Sequence, residues 1–177
     1  MSRIPYVPAD IDQPADLVDA IRKRRGGTLL NLDRLLLHAP KIAQGWNVFM
    51  GTIRTGLSLD PYLGELAMCV VAVINRADYE FHHHAPIWQS LGGTDAQVTA
   101  LRQAGTPGFD ASLFDDRARA IIQLSIDMTR DIQVSDSVFQ TARAQVANDQ
   151  QMVELVTTIG AYNLVSRFLE AFQIDPE

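Results

Sequence analysis

The stretch PYLGELAMCVVAVINRADYEFHHHAPIW, residues 61–88, joins the most apolar part of the chain to three of its four histidines. The dipeptide Asp60-Pro61 marks a helix start, and the apolar run after it is long enough for about four helical turns. The polar residues 75–78 interrupt that run, and Asp78 is of the type that caps a following helix. Two consecutive helices are therefore predicted, and the second bears groups that bind and release protons.

Helical spacing of apolar residues continues along the rest of the chain, and no run alternates as a β-strand does. Residues 1–13 contain two prolines and are predicted to form an extended arm. Residues 14–177 are predicted to form one helical domain, in which Thr94 and Ser135 are N-caps and Gly105 ends a helix. The predicted fold class is all-α, a single-domain bundle of roughly seven to nine helices.

The composition is that of an ordinary soluble protein. Its 177 residues are 47% hydrophobic and 20% charged, and the net charge is −6. Nucleic acid and anionic membranes are therefore not expected as partners. The single cysteine excludes an intramolecular disulfide and suits a reducing compartment. The sequence shows no signal pattern and no apolar run that could span a bilayer, so a cytoplasmic location is expected.

The closing segment, residues 148–172, is apolar on more than one helical face. A helix of that kind is either central to its domain or shared with another subunit. A small all-α domain with several such helices is predicted to form a homo-oligomer.

The histidine-rich segment brings several side chains to one helical face, because residues three and four apart are neighbours on a helix. Glu80 lines up with His83 and His84, and Tyr79 lines up with His82 and His83. Glu80-x-x-His83 has the form used in helical di-iron proteins, but those need the motif twice. Three adjacent histidines also point about 100° apart and cannot all face one ion. No metal is therefore predicted; a mononuclear site that includes Glu65 and a purely structural histidine cluster are the alternatives.

Proton transfer is the chemistry that this cluster favours. A histidine four residues from a glutamate, backed by an apolar wall, can be held in one tautomer and tuned toward neutral pH, as for His84 with Glu80. Glu65 interrupts a strongly apolar helix, where a carboxylate is costly without a partner or a function. A favourable position near the helix N-terminus is the alternative for Glu65. Cys69 has apolar surroundings, which raise a thiol pKa, and is predicted to be inert.

Over residues 65–84 the sequence resembles the carboxymuconolactone decarboxylase/alkyl hydroperoxidase D-like family. The redox members of that family carry Glu-x11-Cys-x2-Cys-x3-His, and here Ala77 and Glu80 stand at the two cysteine positions. The decarboxylase-like members show Tyr-Glu-aromatic-x-x-His instead, which matches YEFHHH at residues 79–84. The similarity extends over roughly residues 28–174.

This resemblance implies an alkyl hydroperoxidase D-like helical bundle that assembles as a trimer or hexamer. It also implies a cofactor-independent lyase that acts on a small carboxylated lactone or keto acid through an enolate. His84 would donate the proton, and Glu80 would orient His84. Glu65 would hold or relay the proton, while Tyr79 or His83 would hydrogen-bond the enolate oxygen.

Two other functions stay open at this point. An antioxidant peroxidase of the same superfamily would depend on Cys69, and the loss of both motif cysteines disfavours it. A non-catalytic helical assembly protein would use the Glu/His cluster for structure alone. A carboxylate substrate would also need a cation, such as Arg76, Arg167 or a basic side chain of a neighbouring subunit.

Overall fold

The computed structural model describes residues 2–177, and within that range it contains helices and turns but no strand. The nine α-helices of the described chain are α1 Ala15–Arg25, α2 Asn31–Leu36, α3 Pro40–Thr55, α4 Pro61–Asn75, α5 Asp78–Ser90, α6 Asp95–Leu101, α7 Asp116–Arg130, α8 Asp136–Arg143 and α9 Asp149–Phe172. A short 3-10 helix, Ala111–Leu113, precedes α7. The all-α prediction is confirmed.

Helix starts follow the predicted capping signals with one exception. The hydroxyls of Thr94 and Ser135 cap α6 and α8, each by accepting a hydrogen bond from a backbone N–H of the first turn. Asp78, predicted as the N-cap of α5, is instead its first helical residue, and Ala77 occupies the N-cap position. The negative charge of Asp78 still lies where the helix dipole favours it.

The predicted helix end at Gly105 also differs from the structure. α6 ends at Leu101, because short turns with hydrogen bonds between residues three apart replace the helix there. Gly105 follows these turns with a φ of +72°, in the left-handed region that glycine adopts without strain.

The chain packs as two compact units. One comprises the described residues up to Leu57 together with Phe168–Glu177. In this unit the Asp33 carboxylate is buried and accepts hydrogen bonds from Arg24 and Arg25, which compensates the cost of burying its charge. Residues 2–14, the described part of the chain before α1, form no helix. The predicted boundary between an arm and a domain at residue 14 stays a prediction.

The other unit, Ser58–Arg167, contains the apolar and histidine-rich segment of residues 61–88. Every residue from Leu63 to Ala72 on α4 is buried, and this helix packs against α5 and α7. A helix that is apolar on all faces can be stable only when it is surrounded in this way. Trp88 at the end of α5 is fully buried and stacks on Phe114 at 6.4 Å between ring centroids. No helix within residues 2–177 has the length and apolarity needed to cross a membrane.

Candidate active site

Glu65 lies in the second turn of α4, inside the apolar core. The helix begins at Pro61, and the carboxylate of Asp60 caps it by accepting the N–H of Tyr62 at 3.0 Å. The first turn is complete before Glu65, so the helix N-terminus does not account for this carboxylate. Only 7% of Glu65 is exposed, and a carboxylate buried to that extent needs a partner.

The partner of this carboxylate is His84, on α5. Nδ1 of the histidine lies 2.6 Å from Oε2 of Glu65, and only 5% of His84 is exposed. A distance this short is typical of a hydrogen bond that involves an ionised group. When Nδ1–H donates to the carboxylate, the lone pair of the neutral ring lies on Nε2. Nε2 is then the atom that can take up and release a proton.

The His84 ring also contacts Tyr162 on α9. The ring centroids are 4.8 Å apart and the planes are nearly perpendicular, at 89°, which is a favourable edge-to-face arrangement. The hydrogen bond to Glu65 and this ring contact together restrict rotation of the imidazole.

Glu80 is a second buried carboxyl group and has a contact that the sequence does not indicate. It is 2% exposed, and Oγ of Ser166 on α9 lies 2.5 Å from its Oε2 atom. Helical spacing predicts that Glu80 orients His84. That role of Glu80 stays a prediction. The structure gives His84 Nδ1 a hydrogen bond to Glu65 on α4, a neighbour about which local helical spacing carries no information.

Ser166 and Tyr162 are the two site residues that sequence reasoning missed. Both are buried, at 0% and 2% exposure, and they lie four residues apart on α9. Residues at that separation share a helical face. The signal in the sequence is a serine and a tyrosine hydroxyl among mainly apolar residues of α9, and that signal is weak.

The three adjacent histidines have different environments, as their helical spacing requires. His82 is exposed, His83 is half-buried and His84 is buried. The His83 ring lies 4.5 Å from the ring of Tyr79, which is itself buried, and 5.5 Å from the His82 ring. Within residues 2–177, no three His, Cys, Asp or Glu side chains come together in an arrangement that could hold a metal ion.

Cys69 follows Glu65 by one turn of α4 and is completely buried. Burial raises the pKa of its thiol well above the ordinary value, and the nearby charges of Glu65 and Glu80 raise it further. The thiolate is the reactive form of cysteine. The protonated, enclosed Cys69 thiol therefore does not have the properties of a nucleophile.

The two arginines offered by the sequence for a substrate carboxylate are both exposed. Arg76 caps the C-terminus of α4 with a φ of 58°, in the left-handed region. Nη1 of Arg167 donates to the backbone carbonyl of Asn163 at 2.8 Å and to its side-chain oxygen at 2.7 Å. Neither arginine is assigned to substrate binding by these contacts.

Comparison of this chain with solved structures identifies its fold. No protein-family model matches the sequence, and no curated protein matches it. Solved structures do match over almost the whole chain. An uncharacterized peroxidase-related protein from Silicibacter sp. TM1040 is 17% identical, with 99% of this chain and 90% of that chain covered and a TM-score of 0.77. An alkylhydroperoxidase AhpD core protein from Ralstonia eutropha JMP134 is 16% identical, with 99% and 92% covered and a TM-score of 0.79. This chain has the alkylhydroperoxidase D-like fold.

The alkylhydroperoxidase D-like fold also occurs in a debrominase. The apo debrominase Bmp8 is 14% identical to this chain, with 96% of this chain and 90% of that chain covered and a TM-score of 0.76. A cysteine-to-alanine variant of that debrominase has been solved in complex with 2,3,4-tribromopyrrole. The predicted fold is confirmed, and identities this low carry no assignment of activity.

Proposed function

We propose that the protein is a cofactor-independent lyase that removes CO2 from a small carboxylated lactone or keto acid, with His84 as the proton donor. The observation that carries the proposal is the 2.6 Å hydrogen bond between the buried side chains of His84 and Glu65. A buried carboxylate–imidazole pair can hold a proton and deliver it in a fixed direction. Decarboxylation requires this delivery.

The proton is needed because loss of CO2 leaves an excess electron pair on the substrate. The C–C bond to the carboxylate breaks, and its electrons delocalise into the adjacent carbonyl as an enolate. The enolate carbon then takes the proton from Nε2–H of the His84 imidazolium, and the N–H electron pair stays on Nε2. The carboxylate of Glu65 stabilises the imidazolium before transfer and keeps Nε2 directed away from itself.

The remaining side chains of the cluster have supporting roles in this proposal. Tyr79 or His83, which are in ring contact on the same helix as His84, hydrogen-bonds the enolate oxygen. Glu80 passes the proton of its carboxyl O–H to the neutral His84 after each turnover, which leaves the Glu80 carboxylate, and the carboxylate then takes up a new proton from the medium. These roles exchange the two that the family resemblance implies, since Glu65 now orients His84 and Glu80 holds the proton.

The fold neighbours support catalysis without indicating its type. One is a debrominase and two are described as peroxidase-related. A thiol peroxidase is the other enzymatic candidate of this fold, and it would have to use Cys69. Burial of Cys69 and its raised pKa oppose that candidate. Equal consumption of an alkyl hydroperoxide by the wild-type protein and by Cys69→Ala would exclude it.

The lyase proposal is tested by CO2 release from a panel of small carboxylated lactones and keto acids. His84→Ala and Glu65→Gln are each expected to lower turnover by about 100-fold or more, because a positioned acid contributes about 10²–10⁴ in rate. His82→Ala is the matched control, since His82 is on the same helix but exposed, and its turnover is expected to stay unchanged.

Two results would contradict the proposal. The first is a substrate whose turnover is equal in the wild-type protein, His84→Ala and His82→Ala. The second is a His84→Ala protein that loses helical content by circular dichroism but keeps the wild-type activity per folded molecule. That result would mean that the His84–Glu65 hydrogen bond has a structural role only.

A further inference from the structure

Ser166 lies within hydrogen-bond distance of two acceptors although its hydroxyl carries one proton. Oγ is 2.5 Å from Oε2 of Glu80 and 2.8 Å from the backbone carbonyl oxygen of Tyr162. A serine hydroxyl donates one hydrogen bond and accepts two. The hydroxyl has a single proton for these two oxygens, so it can give a full-strength hydrogen bond to only one of them at a time.

We propose that Ser166 is a positioning residue that keeps Glu80 hydrogen-bonded both as a carboxylate and as a carboxylic acid. When Glu80 is ionised, the serine O–H donates to Oε2. When Glu80 binds a proton on Oε2, a lone pair of that oxygen forms the new O–H bond, which donates to Oγ. The serine proton then turns to the carbonyl of Tyr162. When the proton leaves, the electron pair stays on Oε2 and the serine proton turns back.

Burial of Glu80 makes a lost hydrogen bond costly, and the hydroxyl of Ser166 avoids that loss. Glu80 and Ser166 are 2% and 0% exposed, so water does not replace a hydrogen bond that is lost when the carboxyl group changes its protonation state. A buried polar atom left without a partner costs about 1–3 kcal/mol. Rotation of one hydroxyl removes this cost without movement of a heavy atom, and Glu80 can gain and lose a proton inside a rigid helical core.

Other titratable and charged groups lie on the elements around Glu80. They are Glu65 and Cys69 on α4, Tyr79, His83 and His84 on α5, Tyr162 on α9, and Arg102, the C-cap residue of α6, which lies over the Phe81 ring. Ser166 differs from all of these groups because it has no charge in either state. Its effect on Glu80 is therefore a hydrogen-bond effect, which a substitution can remove without changing the charge of the cluster.

The inference rests on the proposed function only for its role in catalysis, where Glu80 is the proton reserve of His84. The change of hydrogen-bond partner at Ser166 when Glu80 gains or loses a proton is tested without substrate. Glutamate side chains are labelled with ¹³C at the carboxyl carbon, and the resonance that disappears in Glu80→Gln is followed through a pH titration. In Ser166→Ala the midpoint is expected to move to higher pH, with about tenfold tighter proton binding, because the ionised form loses the stronger hydrogen bond.

Ser125→Ala is the matched control. Ser125 is also 0% exposed and its hydroxyl also donates to the carbonyl four residues before it, that of Ile121, at 2.8 Å. This control is expected to leave the Glu80 midpoint unchanged. An unchanged midpoint in Ser166→Ala, or an equal shift in both serine variants, would overturn the inference.

If Ser166→Ala does not fold, a second measurement tests whether Glu80 binds a proton in the folded wild-type protein. The infrared difference spectrum of the wild-type protein between low and high pH, with Glu80→Gln as the reference, is expected to contain a protonated-carboxyl band assigned to Glu80. Absence of that band at every pH at which the protein is folded would overturn the inference. A shifted Glu80 midpoint in Ser166→Ala, with no CO2 release from any substrate, would support the role of Ser166 and contradict only the lyase proposal.

Discussion

At the scale of single residues, the burial of Cys69 has a measurable consequence for stability. Burial first, and then the charges of Glu65 and Glu80, raise the pKa of the thiol above its ordinary value of 9.0. The unfolded chain ionises near that ordinary value, while the folded protein keeps the thiol protonated. Above pH 9 the unfolded state therefore binds fewer protons than the folded state, and stability falls as pH rises.

We expect this thiol to lower the free energy of unfolding by about 1.4 kcal/mol for each pH unit above about 9. Other groups titrate in the same range, so the quantity to measure is the difference between the wild-type protein and Cys69→Ala in urea unfolding at pH 8, 9 and 10. The unfolding free energy of the wild-type protein minus that of Cys69→Ala should fall as pH rises. A constant difference would show that Cys69 is accessible to ionisation in the folded state.

At the scale of elements, two glycines illustrate how packing decides the effect of the same substitution. A Cβ atom added to Gly93, after α5, would lie 2.8 Å from the ring of Trp88, which is fully buried. A Cβ atom added to Gly160, on the exposed side of α9, would meet nothing within 4 Å.

Gly93→Ala is expected to destabilise the protein by about 1–3 kcal/mol, the usual cost of overpacking. Gly160→Ala is expected to stabilise it by up to about 1 kcal/mol, because alanine loses less backbone entropy in a helix than glycine does. Chemical denaturation of both variants measures the two effects. Destabilisation by Gly160→Ala would indicate that another surface closely approaches α9 in solution.

At the scale of the whole molecule, the predicted homo-oligomer remains a prediction. α9 exposes Val153 at 65% and Leu164 at 49%, and residues eleven apart lie on nearly the same side of a helix. Large exposed apolar side chains on one face are common at subunit contacts. Light scattering coupled to size exclusion is expected to give three or six times the chain mass of 19.6 kDa, and Leu164→Asp is expected to lower it. A wild-type mass equal to that of one chain would contradict the prediction.

Local signals in the sequence were sufficient for the helices. The apolar run of α4, the Thr94 and Ser135 caps and the closing helix are each set by side chains that lie within a few residues of one another. Capping and helical periodicity act over that distance. The exceptions, at Asp78 and Gly105, concern helix ends, where tight turns and one more helical residue differ little in energy.

The sequence by itself determined which helices form and which residue types stand at the candidate site, including Glu65, Glu80 and His84. Only the tertiary structure decided their partners. His84 bonds to a carboxylate 19 residues earlier, and Glu80 to a hydroxyl 86 residues later. Helical spacing describes neighbours on one helix, whereas these hydrogen bonds join different helices. Their formation depends on how α4, α5 and α9 pack, and that packing is a property of the whole core.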